Sequence, residues 1–148
     1  MNDDDAIAPE ELLLRRIVRQ PGQYDPALDP AVHRGAFTPN RQDVDGLSLF
    51  REAYISASAV ALAARKPASD YVVARLRVSD VLSLGLSVLP CPDPGGLPGH
   101  VVIPELSLAR YNDPLLKLGI KEASLHLARL ASRDVILVFE RLEGQSSG

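Results

Sequence analysis

The stretch Tyr71–Val78, with the sequence YVVARLRV, carries the clearest strand pattern in the chain. Apolar and polar residues alternate along it, and a period of two is typical of a β-strand with one buried face. This alternation fixes which face is buried, because a shift of one residue would exchange the two faces. Arg75 and Arg77 are expected to point away from the core. The residues expected to point into it are Val72, Ala74, Leu76 and Val78.

Other segments on either side of this stretch have the length and composition of short strands. Residues 10–19 contain closely spaced leucine, isoleucine and valine residues, which fit either a helix or a buried strand. We favour a strand ending at Gln20, because the Pro-Gly pair at residues 21–22 favours a turn. The remaining predicted strands are Leu47–Arg51, Leu86–Leu89, His100–Ile103 and Asp134–Leu142.

Three segments between the strands are predicted to be helical, and one of them is a single turn that the Ser-Asp pair at residues 79–80 caps and Gly85 closes. The Ser-Ala-Ser sequence at residues 56–58 can cap a helix over Ala59–Lys66, which ends before Pro67. A longer helix is predicted from the Asn-Asp-Pro sequence at residues 112–114 towards Ser132, and packing in the core is expected to explain its leucine and alanine residues. The residues on its broadly apolar side are Leu116, Ile120, Ala123, Leu127 and Leu130. Strands separated by helices and loops of unequal length predict an α+β fold, with one mostly antiparallel sheet and helices packed against it.

The length of 148 residues fits one small domain with a single core. Residues 1–9 are polar and end at Pro9, so we predict a flexible leader there. Residues 143–148 are predicted to be a flexible tail, because they consist mainly of glycine, serine and glutamine. Residues 10–142 are therefore predicted to form the single α+β domain.

Composition and charge limit the classes of function. A formal net charge of -3 argues against a broad affinity for nucleic acid, which usually requires an excess of basic residues. Cys91 is the only cysteine, so a secreted scaffold built on intramolecular disulfides is excluded. The first residues are acidic where a signal peptide would be basic, and no apolar run approaches the roughly 18 residues of a membrane helix. We therefore predict a cytoplasmic protein that does not bind membranes.

The segment His33–Glu52 concentrates residue types that core packing does not readily explain. It combines cationic, acidic and aromatic side chains in a mixture that suits recognition of a protein partner. A guanidinium beside a histidine also suits an anion such as a nucleotide phosphate. The predicted binding residues, for a protein partner or alternatively for a nucleotide-like anion, are His33, Arg34, Phe37, Arg41 and Arg51.

A purely structural explanation of Arg34 also stays open. Its guanidinium could pair with Asp43 or Asp45 and pin the long loop that contains all three residues. The two aspartates precede a glycine as in a calcium loop, but the downstream ligands of such a loop are missing. An Asp-Gly turn explains the pattern fully. We therefore predict no metal ion here, and the sequence indicates no cofactor.

Two short motifs resemble a group of small uncharacterised bacterial proteins. The first joins residues 36–39 (Ala-Phe-Thr-Pro) to residues 45–49 (Asp-Gly-Leu-Ser-Leu), and the second is the Gly-His-Val-Val-Ile sequence at residues 99–103. These correspond to an AFxP…GLS segment and a later HxxI segment in the group. The similarity covers roughly residues 10 to 105, and it implies a bacterial protein without implying an activity.

The order of three polar residues is also similar to ADP-ribosyltransferase and RES-type toxin folds. Those folds place an arginine on an early strand, a serine on a middle strand and a polar catalytic residue on a later strand. Arg15 or Arg16, then Ser48, then His100 or Glu105 fall in that order. The chain differs from these enzymes because it has no Ser-Thr-Ser triplet and no Glu-x-Glu pair. The resemblance implies Arg16, Ser48 and His100 as catalytic residues.

These observations indicate two alternative functions. We favour a non-enzymatic interaction module that acts with a protein partner as an accessory of a toxin or defence system, because the chain shows ordinary core patterning and no nucleophile or metal motif. The alternative is a small enzyme acting on a nucleotide-like anion, with Arg34 binding charge and His100 as general acid or base. Convergence of Arg16, Ser48 and His100 in one cleft would favour the enzyme.

Overall fold

A computed structural model describes residues 6–63, 67, 70–92 and 96–136 of this chain. These residues form one antiparallel sheet, whose strands are β1 (Leu12–Val18), β2 (Leu47–Arg51), β3 (Tyr71–Arg77), β4 (Leu89–Pro90), β5 (His100–Ile103) and β6 (Val135–Ile136). Their order across the sheet is β4-β5-β2-β1-β3-β6, so β1 and β2 lie at its centre.

Helices pack on both faces of the sheet. They are α1 (Ala57–Leu62), α2 (Val78–Ser83), α3 (Leu108–Tyr111) and α4 (Lys117–Ala131). The buried side of α4 packs in the main core, whereas α1 covers β1 and β3 on the opposite face. One antiparallel sheet with helices against it confirms the predicted α+β fold in a single small domain. None of the described helices has the length and apolar character needed to cross a membrane.

Strand β3 confirms the predicted alternation. Arg77 is exposed, and Arg75 lies at the surface, where Glu52 binds its guanidinium at 2.7 Å. Val73 is also buried, because α1 covers the second face of the sheet at this point. Val78 is buried as predicted, although it is already the first residue of α2. The buried residues that point into the main core are Val72, Ala74 and Leu76.

Strand β1 resolves the ambiguity at residues 10–19 in favour of a strand. It pairs with β3 along its whole length, from Leu12 opposite Arg77 to Val18 opposite Tyr71. Neighbouring side chains Leu13 and Leu14 are both fully buried, on opposite faces of the sheet. A strand that is covered on both faces is apolar at successive positions and does not show the alternation of apolar and polar residues. Its sequence therefore cannot be distinguished from that of a buried helix.

The predicted start of the long helix is wrong by several residues. The Asp113 side chain accepts a hydrogen bond from the Leu115 N–H at 2.9 Å, and its carbonyl accepts from Lys117 N–H at 3.0 Å. These bonds close a turn, and the regular helix α4 begins only at Lys117. The helix then continues through Gly119 and ends at Ala131.

Three other predicted boundaries differ from the structure. The helix predicted at residues 59–66 begins at Ala57, where Ser56 caps it by accepting a hydrogen bond from Ala59 N–H; residues 64–66 lie outside the described residues. The predicted strand at residues 86–89 is wrong, because regular pairing is confined to Leu89 and Pro90. The predicted strand at residues 134–142 pairs over Val135–Ile136, and its remainder lies outside the described residues.

The long segment before β2 is held against α4. Phe37 is fully buried, and its carbonyl accepts a hydrogen bond from Ser124 Oγ at 2.8 Å. Val32 N–H donates to Ser132 Oγ at 3.0 Å. A Cβ atom at Gly35 would overlap the carbonyl oxygen of Gly22, so the close approach of these two turns requires glycine. The segment therefore has a defined conformation set by the helix.

Residues 6–9 lie within the segment predicted to be a flexible leader. The Pro9 carbonyl accepts a hydrogen bond from Ser79 N–H at 2.8 Å, and the Ala6 carbonyl accepts one from Arg51 Nη2 at 3.2 Å. Residues 1–5 and the predicted tail at residues 143–148 lie outside the described residues. The flexibility of the two ends stays a prediction.

Candidate functional site

An open groove of about 830 Å³ lies between α4 and the segment that contains a short 3-10 helix, Arg34–Phe37. It has a loop wall and a helix wall. The helix wall comes from the solvent-facing side of α4, away from the core. We call this feature the α4 groove, and define it by His33, Arg34, Tyr111, Leu118, Lys121 and Leu125.

The helix wall of the α4 groove is unusually apolar for an exposed surface. Leu118 is 69% exposed and Leu125 is 38% exposed, and the two lie seven residues apart, which places them two turns apart on one side of α4. The opposite side of the same helix buries Ile120 and Leu127 in the core. The expectation that packing explains all the leucines of this helix is therefore wrong.

The loop wall of the α4 groove supplies positive charge. Arg34 is exposed there, and Lys121 stands on the facing wall beside the carboxylate of Glu122. His33 precedes the 3-10 helix and is partly exposed. The His-Arg pair predicted from sequence is thus presented at a groove whose second wall the sequence interpretation did not identify.

The structure does not support the structural explanation of Arg34. Among the described residues, no ion pair joins Arg34 to Asp43 or Asp45. Asp43 is instead buried, and its carboxylate accepts a hydrogen bond from Asn40 N–H at 2.9 Å. The loop is thus closed locally by Asp43, without a contribution from the Arg34 guanidinium.

Arg15 is the cation that ties this loop to the sheet. Its Nε donates to the Ala36 carbonyl at 3.0 Å, and its Nη1 donates to the Ser48 carbonyl at 2.8 Å. Burial lowers the pKa of Arg15 below its ordinary value, and the nearby Asp43 carboxylate opposes that shift. Arg15, through two backbone acceptors and the nearby carboxylate, therefore holds the loop in place, a role that the sequence had left open for Arg34.

The other predicted binding residues differ in accessibility. Phe37 is fully buried, and it anchors the loop in the core. Arg51 is 3% exposed, and its guanidinium binds both carboxylate oxygens of Glu11 at 2.5 and 3.0 Å. Arg41 is exposed on the turn next to Asn40, which lines the α4 groove. Of the predicted set, His33 and Arg34 line the groove and Arg41 lies beside it.

The predicted catalytic residues converge in part. Ser48 Oγ lies 3.0 Å from His100 Nε2, because β2 and β5 place them diagonally across one ladder. Arg16 lies on the same face of the sheet, but its Nη1 donates to the Val60 carbonyl at 2.9 Å and its guanidinium lies over Tyr71. The α4 groove is on the opposite face, so Arg34 does not join Ser48 and His100.

Glu105, which the resemblance to the toxin folds offered as an alternative to His100, is hydrogen-bonded by Ser87. Its carboxylate accepts hydrogen bonds from Ser87 N–H at 2.8 Å and from Ser87 Oγ at 2.7 Å. Burial alone would raise the pKa of Glu105, but these hydrogen bonds, with a contribution from Arg110, outweigh it and hold the pKa below its ordinary value. Glu105 therefore stays ionised and serves to fix the Ser87 backbone.

Comparison with protein-family models, with curated proteins and with solved structures finds no match to this chain. Both resemblances noted in the sequence therefore stay predictions. Within the part of the chain that the structure describes, no group of three or more His, Cys, Asp or Glu side chains is arranged to hold a metal ion.

Proposed function

We propose that this protein is an interaction module that binds a partner protein in the α4 groove. The observation that carries the proposal is the exposure of Leu118 and Leu125 in the same groove as Arg34. Apolar anchors beside a charged rim are typical of protein recognition sites. Exposed leucines on a helix whose other side is already buried gain free energy only when another surface covers them.

The geometry of the groove indicates the chemistry of the partner segment. Leu118 and Leu125 are seven residues apart, so their positions along α4 differ by about 10 Å. A helical segment with apolar residues at positions i and i+7 matches this spacing. Arg34 and Lys121 outnumber the carboxylate of Glu122, so an acidic residue on the partner complements the groove. We therefore propose an acidic amphipathic segment of a partner protein as the ligand.

A nucleotide-like anion is less well supported as the ligand of this groove. Arg34 and Lys121 could bind a phosphate, but the Glu122 carboxylate beside them repels one. The two leucines offer apolar area that a phosphate does not use. Addition of a nucleotide at millimolar concentration should therefore leave the proposed protein complex intact, and displacement of the partner would favour the anion.

The biological setting is part of the same proposal. A cytoplasmic location in a bacterium, and an accessory role in a toxin or defence system, are carried over from the sequence alone. The genes that neighbour this one test the setting. A toxin or defence gene encoding an acidic amphipathic segment would support it.

Arg34→Ala is the variant that tests the proposal. A partner captured by the wild-type protein from lysate of the source organism would be purified and titrated against each variant. Arg34→Ala should weaken binding by about tenfold or more, a loss of about 1.4 kcal/mol, and leave the melting temperature unchanged. Arg129→Ala is the matched control, because Arg129 is an exposed arginine of α4 outside the groove lining.

The competing outcomes are distinct. A melting temperature that falls in Arg34→Ala, with unchanged affinity per folded molecule, would show that Arg34 is structural. Equal loss of affinity in Arg34→Ala and Arg129→Ala would indicate a general effect of charge, and would contradict a site at the groove.

A further inference from the structure

The orientation of the His100 ring is fixed from both sides. Its Nδ1 lies 2.7 Å from the carbonyl oxygen of Cys91, and its Nε2 lies 3.0 Å from Ser48 Oγ. The Phe50 ring stands against the imidazole with the ring centroids 5.3 Å apart. These three contacts come from β2 and from the chain after β4, so the sheet itself holds the ring in place.

These contacts also determine where the protons are. A carbonyl oxygen only accepts hydrogen bonds, so Nδ1 must carry the proton that lies between it and Cys91. In the neutral imidazole Nε2 is then a hydrogen-bond acceptor, and the Ser48 hydroxyl must donate to it. A serine that donates to an imidazole, with the imidazole oriented by a third group, is the arrangement of an activated nucleophile.

The position on the sheet leaves both groups partly accessible. Ser48 and His100 are each partly exposed. Helix α1 packs against β1 and β3 on this face, and these two strands lie to one side of the β2–β5 pair that carries Ser48 and His100. Phe50 provides an apolar flank beside the imidazole.

We propose that Ser48 and His100 form a nucleophile and general-base pair that reacts with small activated acyl or phosphonyl esters. As Ser48 Oγ forms a bond to the carbonyl carbon, its proton moves to His100 Nε2. The bond to the leaving group breaks, and the leaving group takes that proton. Water, deprotonated by the same nitrogen, then attacks the acyl-serine, and Ser48 recovers its proton as the carboxylic acid leaves.

This proposal is independent of the α4 groove, which lies on the opposite face of the sheet. A purely structural role is the alternative, in which the Ser48 hydroxyl only links β2 to β5. The two roles differ in reactivity, because a structural serine reacts with an electrophile no faster than any other serine of the surface.

The test uses the full-length protein and a fluorophosphonate probe, with intact mass and peptide mapping as the readout. Wild type should gain one phosphonyl group at Ser48 with loss of fluoride. Ser48→Ala should remove the labelling, and His100→Gln should slow it about 100-fold or more. Ser83→Ala is the control and should label as wild type, because Ser83 Oγ donates to the Asp80 carbonyl and has no imidazole partner in this structure.

A second measurement does not depend on variants that fold poorly. The ¹⁵N spectrum of His100 in the wild-type protein should show the neutral tautomer protonated at Nδ1. The opposite tautomer, or labelling of wild type no faster than that of Ser48→Ala, would overturn the proposal. The labelling assay contains no partner protein, so failure at this pair and failure of the groove are distinguishable.

Discussion

Replacement of Glu11 by glutamine should destabilise the fold, because it removes the charge of a carboxylate that pairs with the buried Arg51 guanidinium. The Arg51 and Glu11 side chains are 4% and 14% exposed. Two hydrogen bonds join them, from Nε and from Nη2 of the arginine. Glutamine keeps the shape and one acceptor oxygen of glutamate, so the variant chiefly removes the negative charge.

The expected loss can be worked from the contacts. Removal of one partner of a buried ion pair typically costs about 3–5 kcal/mol. Arg51 keeps a hydrogen bond to the Ala6 carbonyl and a position 4.7 Å above the Tyr54 ring, and the glutamine oxygen still accepts one bond. These contacts offset part of the cost, and we expect the free energy of unfolding to fall by about 2–3 kcal/mol.

Urea unfolding followed by circular dichroism at neutral pH measures this loss. The matched control is Glu52→Gln, because Glu52 binds Arg75 with side chains 25% and 32% exposed. That pair is more accessible to water, so its loss should cost about 1 kcal/mol or less. A loss in Glu11→Gln no larger than in Glu52→Gln would refute the burial argument and return Arg51 to the candidates for binding.

Four further variants test the packing of the fold and the hydrogen bonds of Glu105. Leu76→Ala should lower the free energy of unfolding by about 2–5 kcal/mol, because the side chain is 2% exposed, and a small shift of the urea midpoint would contradict its burial. Gly35→Ala should lower the melting temperature, because its Cβ overlaps a backbone carbonyl. Gly119→Ala has open space in α4, so its free energy of unfolding should rise by up to about 1 kcal/mol. Melting temperatures in the reverse order would contradict this. Because the pKa of Glu105 is lowered, its ionised carboxylate stabilises the fold above its ordinary pKa of about 4.3, and this contribution is lost as the pH falls through and below that value. Ser87→Ala should therefore have a smaller free energy of unfolding at neutral pH and should lose less of it on acidification. Equal slopes in the acid unfolding curves of the two proteins would contradict that.

The sequence predicted the orientation of a strand correctly where one face of that strand is exposed to solvent. Arg75 and Arg77 mark the outer face of β3, so the period of two was visible there. In β1 both faces are covered, and Leu13 beside Leu14 gives no period. The start of α4 was misplaced because Asp113 closes a turn with its side chain, and a turn and a helix start use the same residue types.

The candidate site was predicted in part for a related reason. The exposure of Arg34 followed from its position in a polar loop. The leucines of α4 gave no comparable signal, because the sequence does not show which side of the helix faces the sheet. The only indication was that apolar residues extend around more of the helix than the single stripe needed to pack against a core. The partner of Arg51 lies 40 residues earlier in the chain, and only the tertiary structure brings Glu11 to it.

The affinity of the partner protein for Leu118→Asp, compared with wild type and with Leu62→Asp, tests the role of the α4 groove most directly. Leu118 and Leu62 are 69% and 61% exposed, on α4 and α1 respectively, so the two substitutions perturb folding to a similar extent. If the groove binds the partner, Leu118→Asp should weaken binding by about 30-fold, or about 2 kcal/mol, while Leu62→Asp stays within about twofold of wild type. Equal affinity of the three proteins, or a wild-type chain that retains no partner, would contradict the proposed function.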